Sequence, residues 1–90
     1  MDEQKLADVR QKIDDIDAQL VALLNERARM ALQAGIAKGN QHIQRPEREA
    51  EVLRNIAAAN KGPLSDEGVQ EIFKKIVEVC RTIQYNRTKH

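Results

Sequence analysis

LADVRQKIDDIDAQLVALLNERARMALQAGIAK, residues 6–38, places an apolar side chain at nearly every third or fourth position. Leu6, Val9, Ile13, Ile16, Leu20, Leu23, Met30 and Ala34 follow that step, and the slot between Leu23 and Met30 belongs to Arg27. Such spacing is the seam of a helix that faces other helices. No Pro or Gly interrupts it before Gly35, and Ala37 and Lys38 continue it. The pattern predicts one helix over residues 5–39, roughly 50 Å long at 1.5 Å per residue. A compact chain of this size has a radius of gyration of only about 12 Å. The helix outruns its own globule, so its apolar far end needs a second chain. The length alone therefore predicts a dimer.

Two shorter helices follow. GNQHIQRP, residues 39–46, breaks the first pattern; Pro46 suits the first turn of a new helix, and Glu47 and Glu49 suit its positive end. Ala50, Leu53, Ile56 and Ala57 give this second helix, expected over residues 46–60, an apolar face. NKGP, residues 60–63, stops it, with Gly62 as the expected C-cap and Pro63 beyond. Ser65 then caps a third helix, expected over residues 65–85, whose first turn carries Asp66 and Glu67. Its stripe is Val69, Ile72, Phe73, Ile76, Cys80 and Ile83, and residues 86–90 read as a fraying tail. The expected architecture is all-α, a three-helix protomer forming a single domain over residues 1–90.

Composition narrows the function classes. Fifteen Lys and Arg against fourteen Asp and Glu give a formal net charge of +1, which does not favour a nucleic-acid binder. One Phe, one Tyr and no Trp argue against a β-sandwich or barrel. A single cysteine excludes an internal disulfide, and no Cys/His cluster has zinc-ligand spacing, so no metal or cofactor is expected. The start, MDEQKLADVRQK, is charged and lacks the apolar core of a signal peptide. No apolar run approaches membrane-spanning length. A soluble, cytoplasmic protein with no membrane or nucleic-acid partner is expected.

No nucleophile–base pair or phosphate loop stands out, but cations placed against the helical pattern do: Arg10, Arg27, Lys38 and Arg48. An arginine at a packed position costs several kcal/mol of desolvation unless it is paired. No acidic residue shares the stripe with Arg27: Glu26 points about 100° away on the helix, and Asp17 lies too far toward the N-terminus. Its partner can be an anionic ligand. Arg27 and Lys38 are about three turns apart and share a face within roughly 20°, so both can reach one small molecule. Arg10 lies about 26 Å from Arg27 along the axis and cannot join them from the same straight helix. It can if it comes from a second protomer running antiparallel. Structural readings remain open beside this one. Arg27 can set register or snorkel to an edge, and Lys38 can compensate the helix dipole. Arg48–Glu49 reads equally as a surface charge pair, Gln84 as a surface amide, and Cys80 as a small core residue. His42 and His90 are isolated.

The ordered set R-x-x-I-D-x-I-D, L-L-x-E-R, G-x-x-K, P-x-R-E and a C-terminal Gln, spread over residues 6–84, resembles the all-helical class of chorismate mutases. The resemblance implies a protomer whose long first helix intertwines with its antiparallel copy in a homodimer with two active sites. The implied reaction is the Claisen-type [3,3] rearrangement of chorismate to prephenate, toward phenylalanine and tyrosine, with no cofactor. By resemblance, Arg27 and the partner subunit's Arg10 hold the two carboxylates. Lys38 and Gln84 reach the ether oxygen of the breaking bond, and Lys38 also helps to hold a carboxylate. Glu49 binds the ring hydroxyl, Arg48 lines and orders the site, and Cys80 matches a position where some relatives have Ser near the substrate. One departure is Arg45, where some relatives carry Asp. Relatives occur alone or fused to prephenate dehydratase, prephenate dehydrogenase or aldolase-like synthases. Two alternatives stand beside the mutase: an isochorismate pyruvate-lyase on the same fold, and a non-catalytic regulatory helical dimer. Glu49 after Arg48 favours the mutase, because the lyases carry an apolar residue there.

Overall fold

The structure is a computed structural model that describes residues 2–38 and 46–88, with side chains for all of them except Lys38, Arg87 and Thr88. Among the described residues there are three helices and no strand: α1 (Asp2–Lys38), α2 (Pro46–Ala59) and α3 (Asp66–Thr88). The expectations for Gly39, Arg45, His42 and His90 lie outside the described residues. α1 is one unbroken helix that starts three residues earlier than the expected start at residue 5. Asp2 and Glu3 occupy its first turn, where negative charge offsets the helix dipole. Gln4 donates to Asp8 at 3.0 Å, and Gln11 to Asp15 at 3.0 Å, adding one-turn bridges along the exposed surface.

Two corner expectations change. The helical backbone of α3 runs through Thr88, so residues 86–88 are not a tail. Neither Gly nor Pro follows Ile83, and nothing in the chain stops the helix there. At the end of α2, Gly62 takes a positive φ of 77°, but it is Asn60 that closes the helix. The Asn60 backbone N–H donates to Ile56 O at 3.0 Å. Its side-chain amide donates to Leu64 O and to Asp66 Oδ1, each at 2.8 Å, and its Oδ1 accepts the Gly62 N–H at 3.2 Å. A single amide thus serves both helix ends that meet at this corner. Ser65 caps α3 as expected: its Oγ accepts the Gly68 N–H at 2.9 Å, and its carbonyl accepts the Val69 N–H at 3.0 Å.

α3 is the middle element. It packs on both α1 and α2, whereas those two helices do not pack on each other. Contacts from Arg27 to Cys80 and from Ala31 to Gln84 advance together, so α3 runs parallel to the last third of α1. Contacts from Glu49 to Arg81 and from Leu53 to Gln70 run in opposite directions, so α2 and α3 are antiparallel. The packed face of α2 is Val52, Leu53, Ile56 and Ala57, while Ala50 is exposed. On α3 the packed residues are Val69, Phe73, Ile76, Val77, Cys80 and Ile83, while Ile72 faces outward.

These helices make a single layer. The described chain measures 57 × 27 × 14 Å, with a radius of gyration of 16.7 Å. Its smallest dimension is little more than the roughly 10–12 Å width of one helix. Among the described residues no second layer closes over the apolar stripes, and of their hydrophobic side chains only Cys80, 6% exposed, is buried. Every residue of α1 from Asp2 to Glu26 is exposed, including Leu6, Val9, Ile13, Ile16, Leu20 and Leu23 of the seam. Alanine in place of Ser65 removes a helix cap and leaves all other packing in place. Ser65→Ala is expected to lower stability by about 1 kcal/mol, read as a lower urea midpoint with an unchanged slope.

Candidate active site

One turn of α3 organises the polar residues. Cys80, Arg81 and Gln84 are spaced so that Cys80 and Gln84, four apart, share the face toward α1, while Arg81 turns toward α2. From α1, Arg27 Nη1 donates to Cys80 Sγ at 3.4 Å. A thiol sulfur is a weak, uncharged acceptor. Among the described residues no carboxylate pairs with Arg27, whose side chain is half-buried. The helical pattern placed this guanidinium on the apolar seam, whose neighbours Leu23, Met30 and Ala34 are exposed; Arg27 itself is half-buried, without a counter-ion from its own protomer's described residues.

Gln84 enters the same region four residues further along both helices. Its Nε2 donates to the Ala31 carbonyl, which fixes the carboxamide against α1. The close approach depends on Gly35. A Cβ at that position would lie 3.3 Å from Gln84 Cγ and 3.5 Å from its Nε2. Gly35 is buried, with half-buried Ala28, Ala31 and Leu32 on the same side of α1. A glycine inside a helix costs about 1 kcal/mol relative to alanine, and here the cost admits a neighbouring side chain. The G-x-x-K spacing contained this residue, but only the structure supplies its reason.

Glu49, in the first turn of α2, accepts a hydrogen bond from Arg81 Nη1. Sequence reasoning missed Arg81. Thirty-two positions separate the pair, and no helical period links them. Its neighbour Cys80 drew attention only as an apolar position. The surface pair Arg48–Glu49, the alternative reading of these two residues, is not formed: Arg48 Nη1 lies 2.7 Å from Glu51 Oε1, and the Arg48 side chain is 60% exposed. Residues three positions apart lie about one turn apart on α2, so Arg48 can reach Glu51 while Glu49 faces α3. Further back on α3, Lys75 donates to Glu78 at 2.8 Å. The hydrogen bond, aided by charge attraction, holds the Glu78 carboxyl below its ordinary value and the Lys75 ammonium above its own.

The structure therefore brings Arg27, Cys80 and Gln84 together and links Glu49 to them through Arg81. Arg10 is exposed on α1, more than four turns from Arg27 on the same straight helix, and Arg48 stays at the surface. Lys38 ends α1, and its side chain is outside the described residues. Among the described residues no group of His, Cys, Asp and Glu could hold a metal ion, and no helix is long and apolar enough to cross a membrane. The cluster offers fixed N–H donors and cationic charge, suited to an anion whose reaction needs neither nucleophile nor proton carrier.

Comparisons with known proteins agree with this chemistry. Residues 9–85 match the family described as chorismate mutase type II. A bifunctional chorismate mutase/prephenate dehydratase of Neisseria gonorrhoeae is 47% identical over 75 residues, covering 83% of this chain and 21% of that protein. The protein of the same description from Pseudomonas aeruginosa is 37% identical over 90 residues, covering 92% of this chain and 25% of its own length. The chain thus spans about a fifth to a quarter of these curated relatives. The crystal structure of a chorismate mutase from Helicobacter pylori, in complex with prephenate, superposes with a TM-score of 0.87 and 28% identity, covering 94% of each chain. With a match over most of its length, the chain belongs to the chorismate mutase type II family.

Proposed function

We propose that this chain is a chorismate mutase that rearranges chorismate to prephenate in a site shared between two protomers. The observation that carries the reading is Arg27: a half-buried guanidinium whose hydrogen-bond partner is a thiol, one helical turn from a carboxamide held against the same helix. Partial removal of such a charge from water is unfavourable while it lacks a counter-charge. An anionic substrate removes that cost when it binds. The relatives and the prephenate-bound neighbour supply the identity of that anion.

The homodimer is supported by the exposed seam. Burying the exposed half of each Leu or Ile is worth about 1 kcal/mol, and in a symmetric pair every such residue counts twice. The seam from Leu6 to Ala34 has its midpoint at Leu20. An antiparallel pair with its two-fold axis at Leu20 sets the partner subunit's Arg10 level with Met30, roughly 4.5 Å along the axis from Arg27. The residue too distant within one helix then becomes a neighbour across two.

In this assembly Arg27 and the partner subunit's Arg10 each hold one carboxylate of chorismate, with Lys38 assisting. Glu49 accepts from the ring hydroxyl, Cys80 packs against Arg27, and Arg48 lines and orders the site. The bound conformer brings the two reacting carbons together, so orientation replaces a conformational search. As the C–O bond breaks and the C–C bond forms, negative charge grows on the ether oxygen. Gln84 and Lys38 donate to it, each worth roughly 3 kcal/mol by analogy with oxyanion-hole donors. No proton moves and no covalent intermediate forms. The cytoplasm suits this chain, because its lone cysteine stays reduced there.

Incubation with chorismate should give prephenate, and incubation with isochorismate should give no salicylate fluorescence. Salicylate without prephenate would replace the mutase by the lyase, and a stable dimer that converts neither substrate would leave a binding module. Arg27→Ala and Arg10→Ala homodimers should each lose activity severely. Mixing them should restore some, because one hybrid site carries neither lesion; absence of recovery after verified subunit exchange rules out the shared site. Gln84→Glu should work better at lower pH. A protonated acid donates to the ether oxygen, whereas a carboxylate repels the charge growing there, so activity must fall as pH rises. A pH profile matching wild type removes Gln84 from this role.

A further inference from the structure

The ion pair between Arg81 and Glu49 joins the first turn of α2 to the turn of α3 that carries Cys80 and Gln84. Nothing in the reaction as derived above uses Arg81. We propose that Arg81 is a positioning residue for substrate binding: it neutralises Glu49 and holds one carboxylate oxygen so that the other meets the ring hydroxyl of chorismate. The proposal rests on the mutase reading and deepens it.

Three observations favour this over a simple staple between helices. Arg81 and Glu49 are 28% and 32% exposed, so much of the screening water is gone from both. Other candidates for the pairing are occupied. Glu51 takes Arg48 at 2.7 Å, and Glu78, one turn before Arg81, takes Lys75 at 2.8 Å. Arg81 also acts on Glu78 through its charge, but its hydrogen bond goes to Glu49. Lastly, Arg81 engages Oε2 of Glu49, so Oε1 is the oxygen that can accept from a hydroxyl.

The electrostatic need is specific. Glu49 must accept a hydrogen bond from a molecule that carries two negative charges. An ionised carboxylate placed there without compensation repels the substrate in the ground state and transition state alike. Such a uniform effect raises KM and leaves kcat nearly unchanged. A staple that only held α2 to α3 would lower stability and leave no charge-dependent signature in KM.

The test compares wild type, Arg81→Met, Arg81→Lys, Glu49→Gln and the double variant Arg81→Met/Glu49→Gln, all as full chains. Chorismate consumption gives KM and kcat for each. Arg81→Met should raise KM about tenfold, equivalent to about 1.4 kcal/mol, with kcat within about twofold of wild type. Arg81→Lys should recover most of that loss. Glu49→Gln removes the charge that Arg81 neutralises, so the double variant should show a lower KM than Arg81→Met, close to that of Glu49→Gln alone. A wild-type KM for Arg81→Met overturns the proposal, as does a double variant at least as impaired as Arg81→Met. If Arg81→Met lacks the helical circular dichroism of wild type, Arg81→Gln takes its place in the same comparison. Failure of wild type to convert chorismate at all would overturn the parent reading first, and is seen separately.

Discussion

A guanidinium withdrawn from water requires a counter-charge, and the surroundings of Arg27 leave that requirement open. Its partner is a thiol. Glu49, the carboxylate bound to the same turn of α3, is taken by Arg81. Small residues on α1 make the arrangement possible. Ala28, Ala31 and buried Gly35 let α3 come close enough for Cys80 and Gln84 to touch the helix that carries Arg27. Larger side chains would separate the helices and let solvent solvate the charge. The same packing that forms the layer thus keeps the cation short of a partner and ready for an anion.

The protomer's shape follows from a related imbalance. A layer 14 Å thick cannot enclose side chains on both sides, and the first two-thirds of α1 is exposed among the described residues. In the proposed dimer, folding and site completion are one event, because the antiparallel pairing that covers Leu6 to Leu23 also delivers the partner subunit's Arg10. Stability and activity should then both depend on chain concentration. Substitutions along the seam far from the substrate would act on catalysis through assembly.

Helices were legible in the sequence because their signals are local. The three-and-four spacing of α1, Pro46 at the start of α2 and Ser65 before α3 each act within one or two turns. Ends lacking a strong local stop were less legible. α3 continues through Thr88 because nothing breaks it, and Asn60 closes α2 by bonding to Leu64 and Asp66, groups beyond the helix itself. In the candidate site, Arg27 was legible as a charge on an apolar stripe. Arg81 was not, because it and Glu49 are brought together only by the antiparallel packing of α2 on α3. Gly35 stood in plain view, yet its purpose depends on a side chain from another helix.

The pairing of Glu49 serves binding, and the cations of the site serve the chemical step. In the proposed assembly three cations face the substrate: Arg27, Lys38 and the partner subunit's Arg10. Two balance the two carboxylates of chorismate. The third has no full counter-charge in the ground state and meets one only as negative charge develops on the ether oxygen. An interaction stronger in the transition state than before it is the kind that accelerates the chemical step. An uncompensated Glu49 would repel the dianion equally before and during the rearrangement, so its cost falls on binding and leaves this difference in place. With Arg81 holding Glu49, the carboxylate can recognise a hydroxyl while the surplus positive charge remains directed at the bond that breaks.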